Sequence, residues 1–283
     1  MNYYIVIPAY NEQANICLAL DSILKQTLLP KKIVVVNDNS TDSTPKIIKA
    51  FANKFPIIEF VNVQSKPIHL PGSKVIEAFN KGLETLDENY DFIVKLDADL
   101  IVPSHYFERI AQVFSENPKV GMAGGRAYLL QKGRWELEKL TGNDHIRGAF
   151  KAYRKECFMQ IGKLKPEMGW DTVDELLARY YGWEIFVDTS LKVKHLKQTG
   201  AVYNKAARYK QGEAFYRLGY GLPLTVLASL KLTLKKRKPL LFIDYIQGYC
   251  KAQKSKKELL INLEQAKFIR AYRWRNIKKK FLK

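Results

Sequence analysis

The sequence predicts an α/β fold: an open, mostly parallel sheet flanked by helices, with a basic helical extension at the C-terminus. Three observations predict it. Short apolar runs alternate with helical patterns over the first ~125 residues, the rhythm of strand–helix–strand units. The run at residues 32–38 is almost continuously apolar, as expected of a parallel strand covered on both faces. The charge is also unevenly distributed. Residues 189–283 hold 24 Lys and Arg against 4 Asp and Glu, whereas residues 1–188 hold 23 against 24, so the net charge of +19 resides in the last third.

The elements follow in order. "YYIVIPAY" (3–10) is a strand, and the next segment repeats Ile16, Ala19, Leu20, Ile23 and Leu24 at helical spacing. "KIVVVND" (32–38) is the second strand. "STDSTPKIIKAF" opens a helix with Thr44 as N-cap and Pro45 at the first helical position. "IIEFVNV" (57–63), "SKVIEAFNKGLETL" (73–86) and "DFIVKLD" (91–97) add a strand, a helix and a fourth strand, joined by right-handed crossovers. Beyond residue 125, "GRAYLL" (125–130) is a strand and residues 147–162 mix strand and helix. "GWDTVDELLARYYGW" (169–183) is a helix with Val173, Leu176, Leu177 and Tyr180 as its buried stripe and Asp171 and Asp174 in its first turn, where negative charge suits the helix dipole. "EIFVDTSLKVKHL" is strand-like and carries His195.

In open parallel sheets, ligands bind beyond the carboxyl ends of the strands. Those ends carry Pro8-Ala9-Tyr10, Asp38, and the pair Asp97 and Asp99 in "FIVKLDADLIVP". In extended chain, side chains at i and i+2 leave the same face, so two carboxylates there repel unless something offsets them. Asp also forms turns where strands end. Acidic groups at several strand ends together favour a rim completed by a divalent cation and a phosphate.

"VIPAYNE", "VVVNDNSTDST", "KLDADL" and "GWDTVDELLARYYGW", in this order, resemble the family-2 inverting glycosyltransferases of the GT-A (nucleotide-diphospho-sugar transferase) fold over about residues 3–200. The resemblance implies that Pro8, Tyr10 and Glu12 touch the nucleotide, that Asp38 bonds the base and Asp97 faces the ribose, and that Lys74 lies near the nucleotide. It also implies that Asp99 ligates Mg²⁺ or Mn²⁺, with His195 where some relatives supply a further ligand. In the family, the general base is the Asp of a Glu-Asp pair about eleven residues before a glycine. Counting back from Gly182 gives Asp171, with Trp170 in place of the Glu; Asp174 (or Glu175), one turn later, is the alternative. Trp170 and Trp183 are candidates either for stacking on a sugar or for filling the core. His69, His105 and His145 sit in no motif and read as structural. The implied activity is sugar transfer from a nucleoside-diphosphate sugar, UDP favoured, to a glycan or polyprenyl-linked acceptor in cell-surface polysaccharide synthesis.

On this reading residues 1–125 bind the nucleotide sugar, residues 126–200 bind the acceptor and carry the base, and residues 201–283 form a basic amphipathic tail. The three cysteines (Cys17, Cys157, Cys250) have no metal-like spacing and suggest a reducing compartment. No secretion signal opens the chain, and the apolar stretches of the tail are shorter than the ~20 residues a spanning helix needs. With "KKRK" (235–238) and "KSKK" (254–257) beside them, they suit an anionic membrane surface. The expected location is cytoplasmic, peripheral at the cytoplasmic face of the inner membrane. The last helix is expected to place Leu259, Leu263, Ala266, Ile269 and Tyr272 on one face. A nucleic-acid-binding module would explain the tail but not the acidic strand ends. A sugar-phosphate nucleotidyltransferase would need a Gly-rich phosphate loop where "PAYNE" stands.

Overall fold

The computed structural model of the chain describes residues 1–65, 72–138, 142, 144–197 and 209–281, and His69 lies outside them. Among the described residues, nine strands form one sheet: β1 (Tyr3–Ala9), β2 (Lys32–Asp38), β3 (Ile58–Val63), β4 (Phe92–Leu96), β5 (Leu100–Ile101), β6 (Val120–Gln131), β7 (Arg134–Leu137), β8 (Phe150–Arg154) and β9 (Glu184–His195). Their spatial order is β3-β2-β1-β4-β8-β6-β9-β5, with β7 paired to β6. β1 to β4 are mutually parallel, β8 runs against β4 and β6, and β6 and β9 are parallel. The sheet passes unbroken through residue 125, which lies inside β6.

Helices α1 (Ile16–Leu24), α2 (Thr44–Lys54), α3 (Ser73–Leu83) and α4 (Tyr106–Glu116) cover the sheet. Every residue of β1 is buried, and its alternate side chains serve two layers. Val6 meets α3 at Gly82, where a Cβ would come within 2.6 Å of the Val6 side chain. Tyr3 points to the other side, stacked on Phe92 at 4.7 Å and tilted against Phe107 of α4 at 5.1 Å. Each such buried side chain contributes roughly 1.5–3 kcal/mol, so the loops at the ends of β1, β2 and β4 start from fixed positions.

The first two of those loops interlock. Asn11 and Asn39 both adopt positive φ (53° and 57°), a conformation Asn tolerates. The Asn11 side-chain oxygen accepts the Thr41 amide (2.8 Å), and the Glu12 amide donates to the Thr44 hydroxyl (2.7 Å). Thr44 is therefore the first helical residue rather than the cap. Ser43 precedes it, and the Asp42 carboxylate accepts the Thr44 amide (2.9 Å).

The remaining helices are α5 (Lys155–Gln160), α6 (Trp170–Tyr180), α7 (Lys210–Arg217), α8 (Gly221–Lys236), α9 (Leu240–Lys254) and α10 (Leu263–Phe281). β6 begins five residues before the expected strand because Val120 to Gly124 are also buried in the sheet. α6 ends at Tyr180, before Gly182 turns the chain at φ 88°. α10 departs from the expected stripe: Leu259 precedes the helix and Leu263 is exposed, while Ile261, Ala266 and Ile269 are buried.

The basic helices are packed back onto α6 and the segment before it. Phe268 of α10 meets Tyr180 of α6 edge-on at 5.4 Å, and Gln265 donates to the Tyr181 hydroxyl. Arg217 pairs with Glu167 at 2.6 Å. α7 and α9 cross at glycines: a Cβ on Gly212 would lie 1.8 Å from the Tyr245 carbonyl oxygen. Gly212→Ala should therefore lower stability by about 1–3 kcal/mol or more, read as a reduced urea midpoint. No helix among the described residues is long and apolar enough to cross a membrane.

Candidate active site

Two groups of charged side chains line the C-terminal ends of the central strands. In the first group, Asp38 ends β2, and its two oxygens accept the amide (3.2 Å) and hydroxyl (2.9 Å) of Ser65. Asp97 follows β4 and takes an ion pair from Lys95, two residues earlier on the same face. Lys95 is buried, and its ammonium lies 5.3 Å from the centre of the Trp170 ring. Burial raises the Asp97 pKa and the Asp99 charge adds to it, while Lys95 opposes both.

Asp99 stands opposite His195. Antiparallel pairing sets Leu100 against His195, and the Leu196 amide donates to the Asp99 carbonyl (2.9 Å). This brings the His195 Nε2 to 3.3 Å from an Asp99 carboxylate oxygen, while its Nδ1 is buried with no hydrogen-bond partner. Glu12, from the loop after β1, pairs with Lys197 just past β9 at 2.7 Å. Its pKa is raised, by burial first and by the nearby Asp99 charge, against the pull of Lys197 and Asn15. Pro8 is buried in β1, Tyr10 is 54% exposed, and Lys74 is the second residue of α3.

No group of three or more His, Cys, Asp or Glu side chains that could hold a metal ion is found among the described residues. Asp99 and His195 offer one carboxylate oxygen and one imidazole nitrogen. That donor set would suit a divalent cation: the carboxylate oxygen is a hard donor of the kind Mg²⁺ takes, and an imidazole nitrogen is compatible with Mn²⁺.

The second group sits at the start of α6. Gly169 caps the helix at φ 87°, and the Trp170 ring packs on Gly148, where a Cβ would lie 2.6 Å from the ring. Core filling is thus the role of Trp170; Trp183 donates to the Gln160 side chain at 2.7 Å. Asp171 keeps 37% of its side chain exposed, 3.8 Å from the His145 Nε2. The His145 Nδ1 bonds Glu175 at 3.0 Å.

Beneath them lies Lys151 of β8, fully buried, 3.0 Å from Asp174 and 3.1 Å from Glu175 and donating to the Asp171 carbonyl at 2.9 Å. The Tyr153 hydroxyl donates to the other side of this cluster, at Asp174 (2.7 Å). Asp174 is 3% exposed, and burial pushes its pKa up to about 6 although Lys151 pulls it down. The first turn of α6 holds Asp171 but not Asp174, which lies past it and faces the core, and of the three acids of α6 Asp171 alone is open to solvent. Burial would raise the Asp171 pKa as well, but the hydrogen bond from His145 and the Lys151 charge leave it below the usual carboxylate value.

His145, which no motif marked, thus joins this group. Burial lowers its pKa, but Asp171 and Glu175 outweigh that and raise it from 6.5 to about 9. A raised histidine pKa contributes stability that is complete below about pH 6.5 and lost as pH rises through about 9. Urea midpoints at pH 6.5, 8 and 9.5 should fall more steeply for the native chain than for His145→Gln.

A model of glycosyl transferase family 2 matches residues 4–162, more than half of the chain. The chain belongs to glycosyl transferase family 2. Relatives of this transferase include a poly-beta-1,6-N-acetyl-D-glucosamine synthase of Staphylococcus epidermidis, 26% identical over 185 residues, covering 59% of this chain and 41% of the relative. The minor teichoic acid biosynthesis protein GgaA of Bacillus subtilis is 27% identical over 124 residues, covering 43% and 26%. The chain thus spans less than half the length of these curated relatives. Among solved structures, S. aureus TarS 1-349 in complex with UDP-GlcNAc superposes with a TM-score of 0.58 at 17% identity, covering 95% of this chain and 78% of that one. The mannosyltransferase PcManGT of Pyrobaculum calidifontis, in complex with GDP-Man and Mn²⁺, gives 0.57 at 17% identity, covering 98% and 80%. These likenesses establish the GT-A fold of the transferase.

Proposed function

We propose that this transferase moves one sugar, with inversion, from a nucleoside-diphosphate sugar to an acceptor hydroxyl. The observation that carries this reading is the division of labour among its carboxylates. Asp99 and His195 face each other on the donor rim, while Asp171 stands open to solvent at the start of α6. On the donor side, Pro8, Tyr10 and Glu12 bound the nucleotide site, Asp38 bonds the base, Asp97 faces the ribose and Lys74 contributes positive charge. A divalent ion held by Asp99 and His195 would offset the charge left on the departing diphosphate. Lys95 holds Asp97 and, through the face of the Trp170 ring, ties the donor rim to the base-bearing helix.

An acceptor hydroxyl is a poor nucleophile and needs a base on the face opposite the leaving group. Asp171 is exposed enough to meet it and is kept ionised by its partners. Asp174 has both oxygens occupied inside the protein. Residues 1–125 serve the donor and residues 126–200 the acceptor. The acceptor is a glycan or a polyprenyl-linked sugar of cell-surface polysaccharide synthesis, met at the cytoplasmic face of the inner membrane. A UDP-sugar is the favoured donor, supported by the N-acetylglucosamine synthases among the relatives and the UDP-GlcNAc held by TarS. A thermal-shift panel of nucleotide sugars with and without Mn²⁺ tests this: a UDP-sugar with Mn²⁺ should give the largest rise in Tm. A panel in which no nucleotide raises Tm would overturn it.

A further inference from the structure

α8 is built inside out. In a helix packed on a water-soluble domain, the apolar stripe faces inward and the polar residues face solvent. Here Thr225, Ser229 and Thr233 are buried, alongside Leu224. The Thr225 and Thr233 hydroxyls donate back to carbonyls of their own helix, at Gly221 and Leu230. Leu222, Val226, Leu230 and Leu234 recur every four residues on the outer side, with Leu227 beside them, and all are exposed. Leu234, in the last turn of α8, is 69% exposed, and beyond the turn Leu240 and Ile243 of α9 are exposed as well. Scattered exposed apolar residues are ordinary, but a continuous stripe marks a contact surface.

The surroundings of the stripe select its occupant. Lys235 and Lys236 end α8, and Arg237 and Lys238 open the turn to α9, so cationic groups stand at the C-terminal end of the α8 leucine row. A second copy of this chain would bring its own strongly basic C-terminal third against them, which like-charge repulsion opposes. A nucleic acid would use the cations but leave the leucines in water. An interfacial helix on anionic lipid uses both: the stripe enters the headgroup–acyl boundary and the cations meet the headgroups.

The position of α8 matters for the reaction. Leu218, in the junction between α7 and α8, lies against Gly169, two residues before Asp171. The exposed stripe begins four residues further on, at Leu222. We propose that the outer face of α8 and the cationic turn that follows it dock on an anionic membrane surface, holding the base-bearing end of α6 toward acceptors carried in that membrane. The proposal rests on the reading of a membrane-held acceptor and names the face that meets the lipid.

Vesicle binding by the full chain tests it apart from catalysis. Large vesicles of phosphatidylglycerol and phosphatidylcholine should retain the native chain, vesicles of phosphatidylcholine alone should retain it weakly, and added salt should release it. The combined variant Leu227→Gln, Leu230→Gln, Leu234→Gln alters exposed positions, so its Tm and its nucleotide-induced shift should stay as in the native chain. Its partitioning onto anionic vesicles should fall at least ten-fold. Arg237→Asn with Lys238→Gln should also weaken binding and reduce its salt dependence. Equal vesicle binding by the leucine variant would overturn the proposal, as would a native chain that ignores anionic vesicles. So would a native chain that binds no vesicles but either self-associates through these leucines or is retained by single-stranded RNA. In each of those cases a retained nucleotide-induced shift would leave the sugar-transfer reading standing.

Discussion

Asp99→Ala should abolish measurable sugar transfer, with a loss of about 10³-fold or more, equivalent to roughly 4 kcal/mol in the barrier. The reason is local. On the proposed reading Asp99 and His195, 3.3 Å apart, would hold the cation, and removing the carboxylate would leave a lone imidazole that cannot hold a hard divalent cation firmly. The fold should survive, because the Asp99 contribution to strand pairing comes from its backbone carbonyl, which accepts the Leu196 amide whatever the side chain. An unchanged far-UV spectrum beside lost activity is the expected pair of results. Excess chelator applied to the native chain should reproduce the loss, and retention of full activity under chelator would contradict the role given to Asp99.

Asp171→Asn should lower transfer by about 10²-fold or more while leaving nucleotide binding intact. The substitution keeps the size of the side chain and removes its capacity to take a proton. The comparison with Asp174 is the sharper half of this prediction. Asp174→Asn removes one partner of the fully buried Lys151, which should cost about 3–5 kcal/mol of stability. The folded fraction of that variant should keep its transfer rate within about ten-fold of native. If Asp174→Asn silences the folded protein while Asp171→Asn does not, the base is Asp174.

Much of the N-terminal part of the sheet, with the acids at its strand ends, was legible in the sequence, because local patterns determine it. The apolar runs of β1, β2 and β4 mark strands buried on both faces, and the strand ends announce their acids directly. The group at the start of α6 was less legible, because its character comes from contacts between distant residues. Helical spacing identified Val173, Leu176 and Leu177 as inward-facing, yet Asp174 and Glu175 also turn inward, because Lys151 waits for them on β8. A signal for this existed: lysines inside the apolar strands "FIVKL" and "FKAYR" should have a buried acid as partner. His145 offered no signal, since its place beside Asp171 and Glu175 depends on how the loop before β8 crosses α6. Lys197 is equally silent in sequence, reaching Glu12 from just past β9. The cap at Thr44 failed for a smaller reason: Ser43 holds the cap position, the Asp42 carboxylate accepts the Thr44 amide, and the Thr44 hydroxyl is drawn to the neighbouring loop.

The most direct measurement is calorimetric titration of the native chain with UDP, with and without Mn²⁺, repeated on Asp99→Ala. If the rim clamps a cation to a pyrophosphate, Mn²⁺ should tighten UDP binding at least ten-fold in the native chain and leave the variant unaffected. UDP affinity that is the same with and without Mn²⁺, or equal in both proteins, would contradict that account.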